Sequence, residues 1–204
     1  NYAVSAGDNS ADLDYAAINS LALNGGTLRD AVSNNAVLTL PAPGAPGSLG
    51  ANKDIAVDTT NAVVVAVNST APNGAYGLGA VIPVQVVFSE PVLVTGTPRV
   101  TLETGTTDAL VSYSSGSGTN TLTFNYTVAA GHTAADLDYT STSALALNGG
   151  TIRDPAANNA ALALPSPGAV GSLGSNRNIV IDTTGPTVVS VTSPSSARPA
   201  AGAP

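Results

Sequence analysis

The chain has 204 residues, of which 9% are charged and 43% hydrophobic, and thirteen acidic against six basic side chains leave a net charge of −7. That length supports one large domain or two ordinary ones, and the negative balance excludes a phosphate-tracking surface, so no nucleic acid is expected as a partner. With no cysteine there is neither a disulfide scaffold nor a thiolate metal site, and no apolar run nears the roughly 18 residues of a membrane span.

Soluble domains usually carry about 25% charged residues, so this surface must be coated by Ser, Thr, Asn and Gly. The 21 Gly and 14 Pro follow no collagen period and mark many turns. No secretory signal pattern is present and Met is absent, so the chain is expected to lack its natural start. The composition favours a secreted or surface-exposed all-β protein and argues against an enzyme.

Self-similarity organises the chain. Residues 1–60 realign on residues 125–184 at an offset of 124 without a gap, and 37 of the 60 pairs are identical. The longest shared blocks are ADLDY (residues 11–15 and 135–139), LALNGGT (21–27 and 145–151) and PGA-x-GSLG (43–50 and 167–174). Both copies end in Asp-Thr-Thr, at Asp58 and Asp182, after which the pattern restarts, with residues 63–67 matching 187–191. The expected organisation is therefore the later part of a repeat at 1–60, a complete repeat at 61–184 and the start of another at 185–204. Such a phase implies either a window of a longer tandem array or a half unit completed by another chain, and the array is the simpler reading.

In chain order, strands are expected at residues 63–68, 81–88, 99–103, 109–113, 120–128, 145–147, 160–164 and 178–181. Within 81–88, period two puts Ile82, Val84, Val86 and Phe88 on one face. Pro83 points to an edge strand or a strand start. In 120–128, Leu122, Phe124, Tyr126 and Val128 alternate with Thr121, Thr123, Asn125 and Thr127, the pattern of a half-buried strand with a wet threonine face. Turn signals at Pro72-Asn73-Gly74, Gly116-Ser117-Gly118, Asn148-Gly149-Gly150 and Pro167-Gly168 separate these runs. No window predicts a helix longer than about two turns. Eight or nine short strands in one unit fit an all-β sandwich with Greek-key connections. Tyr76, Tyr113, Tyr126 and Tyr139 read as core or corner residues rather than a binding platform.

The ordered motifs carry a resemblance: DTT-x-P-x-V from Asp182 to Val188, FSEPV at 88–92, TGTP at 95–98, Y-x-SGSGT at 113–119, ADLDY, and NGGTIRD-x-x-x-NNA at 148–160. Together they resemble the tandem bacterial immunoglobulin-like repeats of very large surface proteins and adhesins. The resemblance spans essentially the whole chain and implies an immunoglobulin-like fold and a spacer or adhesive role, without implying a ligand. Asn61-Ala62 follows the first Asp-Thr-Thr where Gly185-Pro186 follows the second, a departure that argues against a stiff first junction.

Catalysis finds little support in the residues. The only histidine, His132, aligns with Asp8 in the other copy, so the copies share no base for a serine nucleophile, and His132 reads as a solvated turn residue. Asp136 and Asp138, or Glu90, are the carboxylates available for glycoside hydrolysis, but no Trp and few aromatics accompany them. Calcium suits the acidic residues better, because it takes six to eight oxygens from carboxylates and carbonyls of several loops. Asp136 and Asp138 share a strand face, their like charges need solvent or a cation, and the first copy keeps the pair as Asp12 and Asp14. Glu90, Asp154 with its copy Asp30, and Asp182 with its copy Asp58 are expected to converge at a domain end. The plain alternative makes these residues solubilising edge charges, with Arg153-Asp154 and Arg29-Asp30 opening Asx-type turns. No EF-hand loop occurs. Of two glycosylation sequons, Asn68 suits a sugar better than mid-strand Asn125.

The functional expectation is an extracellular or cell-surface, non-enzymatic spacer whose partners are neighbouring repeats of its own chain. Two alternatives are a self-assembling filament, completed by strands of other copies, and a calcium-dependent adhesin module holding a glycan or protein. Apolar positions of residues 1–60, such as Leu21 and Leu23 or Ala36, Leu38 and Leu40, need a partner sheet, either from upstream residues or from an adjacent copy. The Pro- and Ala-rich end at 198–204 is expected to be poorly ordered.

Overall fold

The structure, a computed structural model, describes residues 1–192; the expectation for 198–204 lies outside the described residues. The described residues are all-β, with ten strands and two single-turn helices. In chain order they are α1 (Leu49–Asn52), β1 (Val64–Ser69), β2 (Gly74–Tyr76), β3 (Val81–Thr95), β4 (Arg99–Leu102), β5 (Ala109–Ser115) and β6 (Thr119–Thr127). There follow β7 (Thr133–Ala134), β8 (Leu145–Ala146), β9 (Thr151–Arg153), α2 (Leu173–Asn176) and β10 (Ile179–Asp182).

A curled antiparallel sheet runs β1-β3-β6-β5-β4-β8, with β9 pairing the far end of β3, and a smaller sheet runs β2-β10-β7. The period-two faces of β3 and β6 explain this arrangement, because Ile82, Val84, Val86, Phe88, Leu122, Phe124, Tyr126 and Val128 are all buried. They join one cluster with Leu137, Tyr139, Ile152, Leu164, Leu173, Ile179 and Ile181 from the later part of the chain. Burying a side chain of that size stabilises the fold by about 1.5–3 kcal/mol. β3 is flanked on both sides, and Pro83 stands near its start. The Pro83 carbonyl accepts a hydrogen bond from the Ser69 hydroxyl at 2.7 Å, so its nitrogen also faces β1. The β1–β3 ladder ends at Ser69↔Val84, where no acceptor is lost for want of the proline N–H.

Several elements differ from the periodicity reading. Residues 160–164 form only a parallel bridge between Val63 and Ala161, because that stretch lies beside β1 for a single residue. Three-residue β2 and β9 and two-residue β7 are too short to show a period, and their strand geometry comes from the neighbours they pair with. β3 continues to Thr95, switching partners from β6 to β9 across a register shift between Val87 and Val92.

Residues 1–60 hold no strand. They contain α1 and the isolated bridges Ser10↔Val57 and Arg29↔Asn35. The later strands of residues 125–184 owe their ladders to β2, β3 and β4, since β8 pairs β4, β9 pairs β3 and β10 pairs β2. No described residue supplies those partners to residues 1–60, so strand-competent sequence stays unpaired there.

Candidate metal centre

Three carboxylates meet where residues 1–60 lead into the sheet. Asp58 opens the Asp-Thr-Thr connection, and its Oδ1 accepts the Thr60 N–H at 2.8 Å, an Asx turn that fixes the backbone. Glu90 sits inside the register shift of β3, next to Pro91, where the ladder with β6 is interrupted. Asp154 follows β9, and the pairing Leu93↔Arg153 sets it beside that same stretch of β3.

Asp154 is buried, and both of its carboxylate oxygens are satisfied within its own loop. Oδ1 accepts the Asn158 N–H at 2.9 Å and Oδ2 accepts Asn158 Nδ2 at 2.9 Å, while Ala157 between them takes a left-handed φ of 71°. The same Asn158 amide reaches the carbonyls of Asp58 at 3.1 Å and Thr60 at 3.4 Å. One side chain thus ties the acidic loop to the incoming chain. Sequence reading passed over Asn158, although the shared Asn-Asn-Ala of both copies marked it: Asn34 makes the same pair of bonds to Asp30, at 2.9 and 2.8 Å.

One oxygen from each of Asp58, Glu90 and Asp154 lies within 4.8 Å of the other two. Asp58 and Glu90 border a cleft of about 290 Å³ that Ala56, Pro91, Pro155 and Ala156 help to line. Burial, followed by the charges of Asp58 and Asp154, pushes the Glu90 carboxyl above its ordinary range. Calcium–oxygen distances of about 2.3–2.6 Å put ligands on opposite sides of an ion roughly 5 Å apart. The all-oxygen donor set and its spread therefore fit calcium, with carbonyls or water completing the shell. No family model, curated protein or solved structure matches this chain.

The remaining acidic residues stand elsewhere. Asp138 accepts the N–H groups of Tyr139 and Gly168, both at 2.9 Å, and Asp136 accepts that of Ile179 at 3.3 Å. Their Oδ2 atoms face Gly174 in the first turn of α2, where a Cβ would stand 3.0 Å from Asp138 and 3.4 Å from Asp136. Asp12 and Asp14 face Gly50 of α1 in the same way, at 2.9 and 3.0 Å. Each pair thus packs against the first turn of a single-turn helix. Burial raises the Asp14 carboxyl, but hydrogen bonds from Gly44, Tyr15, Gly50 and Ser48 outweigh it and hold the group below its ordinary value. Asp30 keeps its loop with Asn34, and Asp182 accepts from the Thr184 N–H at 2.8 Å and from its hydroxyl. Among the described residues, neither meets two further carboxylates.

His132 is half-buried rather than solvated. Its ring stacks on Tyr126 with centroids 5.8 Å apart, and Nδ1 lies 2.9 Å from the Tyr126 hydroxyl, whose pKa burial pushes up to about 12. Asp8, at the matching position, accepts the Tyr2 hydroxyl at 2.6 Å. Asp108 and Ser112 line a cleft with His132, and no hydrogen bond joins the three. Asn68 lies inside β1, opposite Gln85, with its side chain accepting the Ser69 N–H at 2.8 Å. Tyr139, fully buried, donates to the Pro165 carbonyl at 2.5 Å, as a corner residue does.

Proposed function

We propose that this chain is part of an extracellular, non-enzymatic spacer built from tandem immunoglobulin-like β-sandwiches with a period of 124 residues. Residues 1–60 end one unit, 61–184 form the next and 185–204 begin a third. Calcium at Asp58, Glu90 and Asp154 holds successive units in line. The observation that carries this reading is the shared ownership of the acidic triad: Asp58 comes from one unit, Glu90 and Asp154 from the next. A bound ion cancels the repulsion among the three charges only while the two units are docked. Ion binding and joint rigidity are therefore one equilibrium, since a ligand bound only by the docked state stabilises it by mass action. The Asn158 amide, bonded across the joint, fixes the approach of the two units before any ion enters.

Small-angle scattering during a calcium titration tests the reading. The expected result is a saturable lengthening and stiffening of the particle, reversed by EDTA and absent from Glu90→Gln. Equal calcium responses in the parent protein and Glu90→Gln would remove the triad from the mechanism.

A further inference from the structure

We propose that the cleft between β5 and β6 is a binding site for a neutral saccharide. The two strands are neighbours in the sheet, yet their ladder consists of Tyr113↔Phe124 and Ser115↔Thr123 alone. β5 meanwhile pairs β4 from Ala109 to Ser112, and β6 pairs β3 as far as Thr127. On the Ala109 side of Tyr113 the strands part, and the gap between them is a cleft of about 380 Å³, within the range of small-molecule sites. The rungs beside it show which backbone groups it exposes. The Tyr113 N–H donates to the Pro98 carbonyl on the β4 side, and the Val128 N–H to the Ala80 carbonyl on the β3 side. Successive strand residues turn their N–H and C=O groups to opposite neighbours, so Leu110 and Thr127 turn theirs toward each other, where no rung joins them. Such groups require a partner from outside the ladder. Both walls lie within residues 108–132. At the described joint the counterparts of Asn125, Thr127 and His132, namely Asn1, Ala3 and Asp8, make no hydrogen bond to residues 61–184, so this face is not the one on which a following unit docks.

The side chains of the cleft carry hydrogen-bonding capacity that the fold does not use. Asp108 and the hydroxyls of Ser112 and Thr127 make no hydrogen bond among the described residues, and Asn125 engages only its Nδ2, on the Ser114 hydroxyl at 3.0 Å. His132 supplies a donor. Its Nδ1 lies 2.9 Å from the Tyr126 hydroxyl and 3.4 Å from the Ala129 nitrogen. A backbone N–H can only donate, so Nδ1 accepts, and the neutral ring carries its proton on Nε2. Asp8 accepts the same two bonds through one oxygen, from the Tyr2 hydroxyl at 2.6 Å and the Ser5 N–H at 2.8 Å. A carboxylate thus serves the fold at this position as an imidazole does, and what His132 adds is the Nε2 donor. The cleft therefore mixes donors and acceptors around a single formal charge, that of Asp108, which opposes an anionic ligand. Adjacent sugar hydroxyls, each donor and acceptor at once, match that mixture. Leu110, 66% exposed, offers an apolar surface for the C–H face of the ring.

Nitrogen–proton correlation NMR of the 204-residue protein in EDTA, titrated in turn with the methyl glycosides of glucose, galactose, mannose and N-acetylglucosamine, decides the question. At least one of the four is expected to give saturable shifts centred on the amides of residues 108–112, 125–127 and 132, with a Kd of about 1–10 mM, the scale of a small ligand held by a few hydrogen bonds. His132→Asp keeps the bonds to Tyr126 and Ala129, as Asp8 does in the other copy, and removes the Nε2 donor. It is expected to weaken that sugar about fivefold or more. Asp108→Ala, at an exposed side chain that holds nothing in the fold, is expected to do the same. Four sugars without a saturable shift, shifts centred elsewhere, or a variant that binds the sugar like the parent would each overturn the proposal. Calcium is absent throughout, so this outcome and the calcium response above fail separately.

Discussion

Residues 1–60 and 125–184 are two related sequences, identical at 37 of 60 positions, in two surroundings. Their local geometry coincides: Asn24 and Asn148 take φ of 47° and 48°, Ser33 and Ala157 take 70° and 71°, and the tyrosine-to-proline corner bond measures 2.6 Å at Tyr15 and 2.5 Å at Tyr139. Ser48 and Ser172 each cap a single-turn helix. Burial does not coincide. Tyr2 is 60% exposed against 1% for Tyr126, and Leu28 is 51% exposed where Ile152 is 2%. Turns, caps and side-chain-to-backbone bonds are therefore written in the local sequence, whereas ladders and core exist only where β1 to β6 supply the other side.

The comparison is sharpest at matched positions. Leu173→Ala empties a fully buried site and is expected to cost about 3 kcal/mol, while Leu49→Ala, at its exposed counterpart, should cost under about 1 kcal/mol. Urea unfolding of both variants measures this, and equal costs would mean that the face of residues 1–60 is covered in solution. Next in size is calcium. At a hundredfold excess over Kd the junction ion should add about 2.7 kcal/mol to the docked state. In thermal melts Glu90→Gln should lose that increment, yet melt higher than the parent in EDTA because one of three repelling charges is gone.

A smaller pair of effects separates the two glycine hairpins. A Cβ at Gly150 would fall on the Thr95 carbonyl oxygen of β3, whereas at Gly26 it meets only the Leu23 oxygen of its own turn, at 3.1 Å. Gly150→Ala is expected to cost about 2 kcal/mol by overpacking and Gly26→Ala under about 0.5 kcal/mol; similar melting shifts for the two would contradict the role given to β3. The smallest effects are those of pH, and they have opposite signs. The raised Glu90 carboxyl makes the folded state bind protons more tightly, so its contribution is most favourable below the ordinary value of 4.5 and is lost as pH rises through the raised value. Asp8, through the Tyr2 hydroxyl, and Asp30, through the Asn34 amide, are held below the ordinary 3.8. They stabilise above that value, and the gain disappears as pH falls through their lowered ones. Carboxyl carbon shifts followed by NMR from pH 7 to about 2 should show Glu90 titrating first; Asp8 or Asp30 titrating ahead of it would reverse the assignment.

What the sequence made legible follows the same division. The buried faces of β3 and β6 were readable because both strands are long enough to show a period, in β6 against threonines and an asparagine. Glu90, Asp154 and Asp58 were among the carboxylates singled out because acidic residues are few and several recur in both copies, whereas Asp182 and Asp30, expected in the same cluster, stand apart from it. The pairing of Asp136 with Asp138 was equally visible, but its setting was not: the four-residue helix whose first turn they pack against leaves no periodic trace. β2, β7 and β9 were invisible for a related reason, since two or three residues become strand only when a partner is already in place. Asn158 carries no charge, and its bond to the Asp58 carbonyl spans 100 positions of sequence.

The way the complete unit is threaded decides how it would bear load. The chain enters through β1 and leaves through β10, and β1 is fastened to the segment just before the exit by the Gly171 carbonyl, the Asn176 amide and Arg177 Nε, which bonds the Ser69 carbonyl at 2.7 Å. β10 in turn lies parallel to β2, in register from Ile179↔Gly74 to Ile181↔Tyr76. Opposed pulls on the two ends drive parallel neighbours past each other, so these bonds are strained together in shear and cannot be peeled open one at a time. Tension applied to the two ends would thereby fall on the bonds of β1 to residues 171–177 and on the β2–β10 ladder, and the hydrophobic interior would stay sealed until these slip.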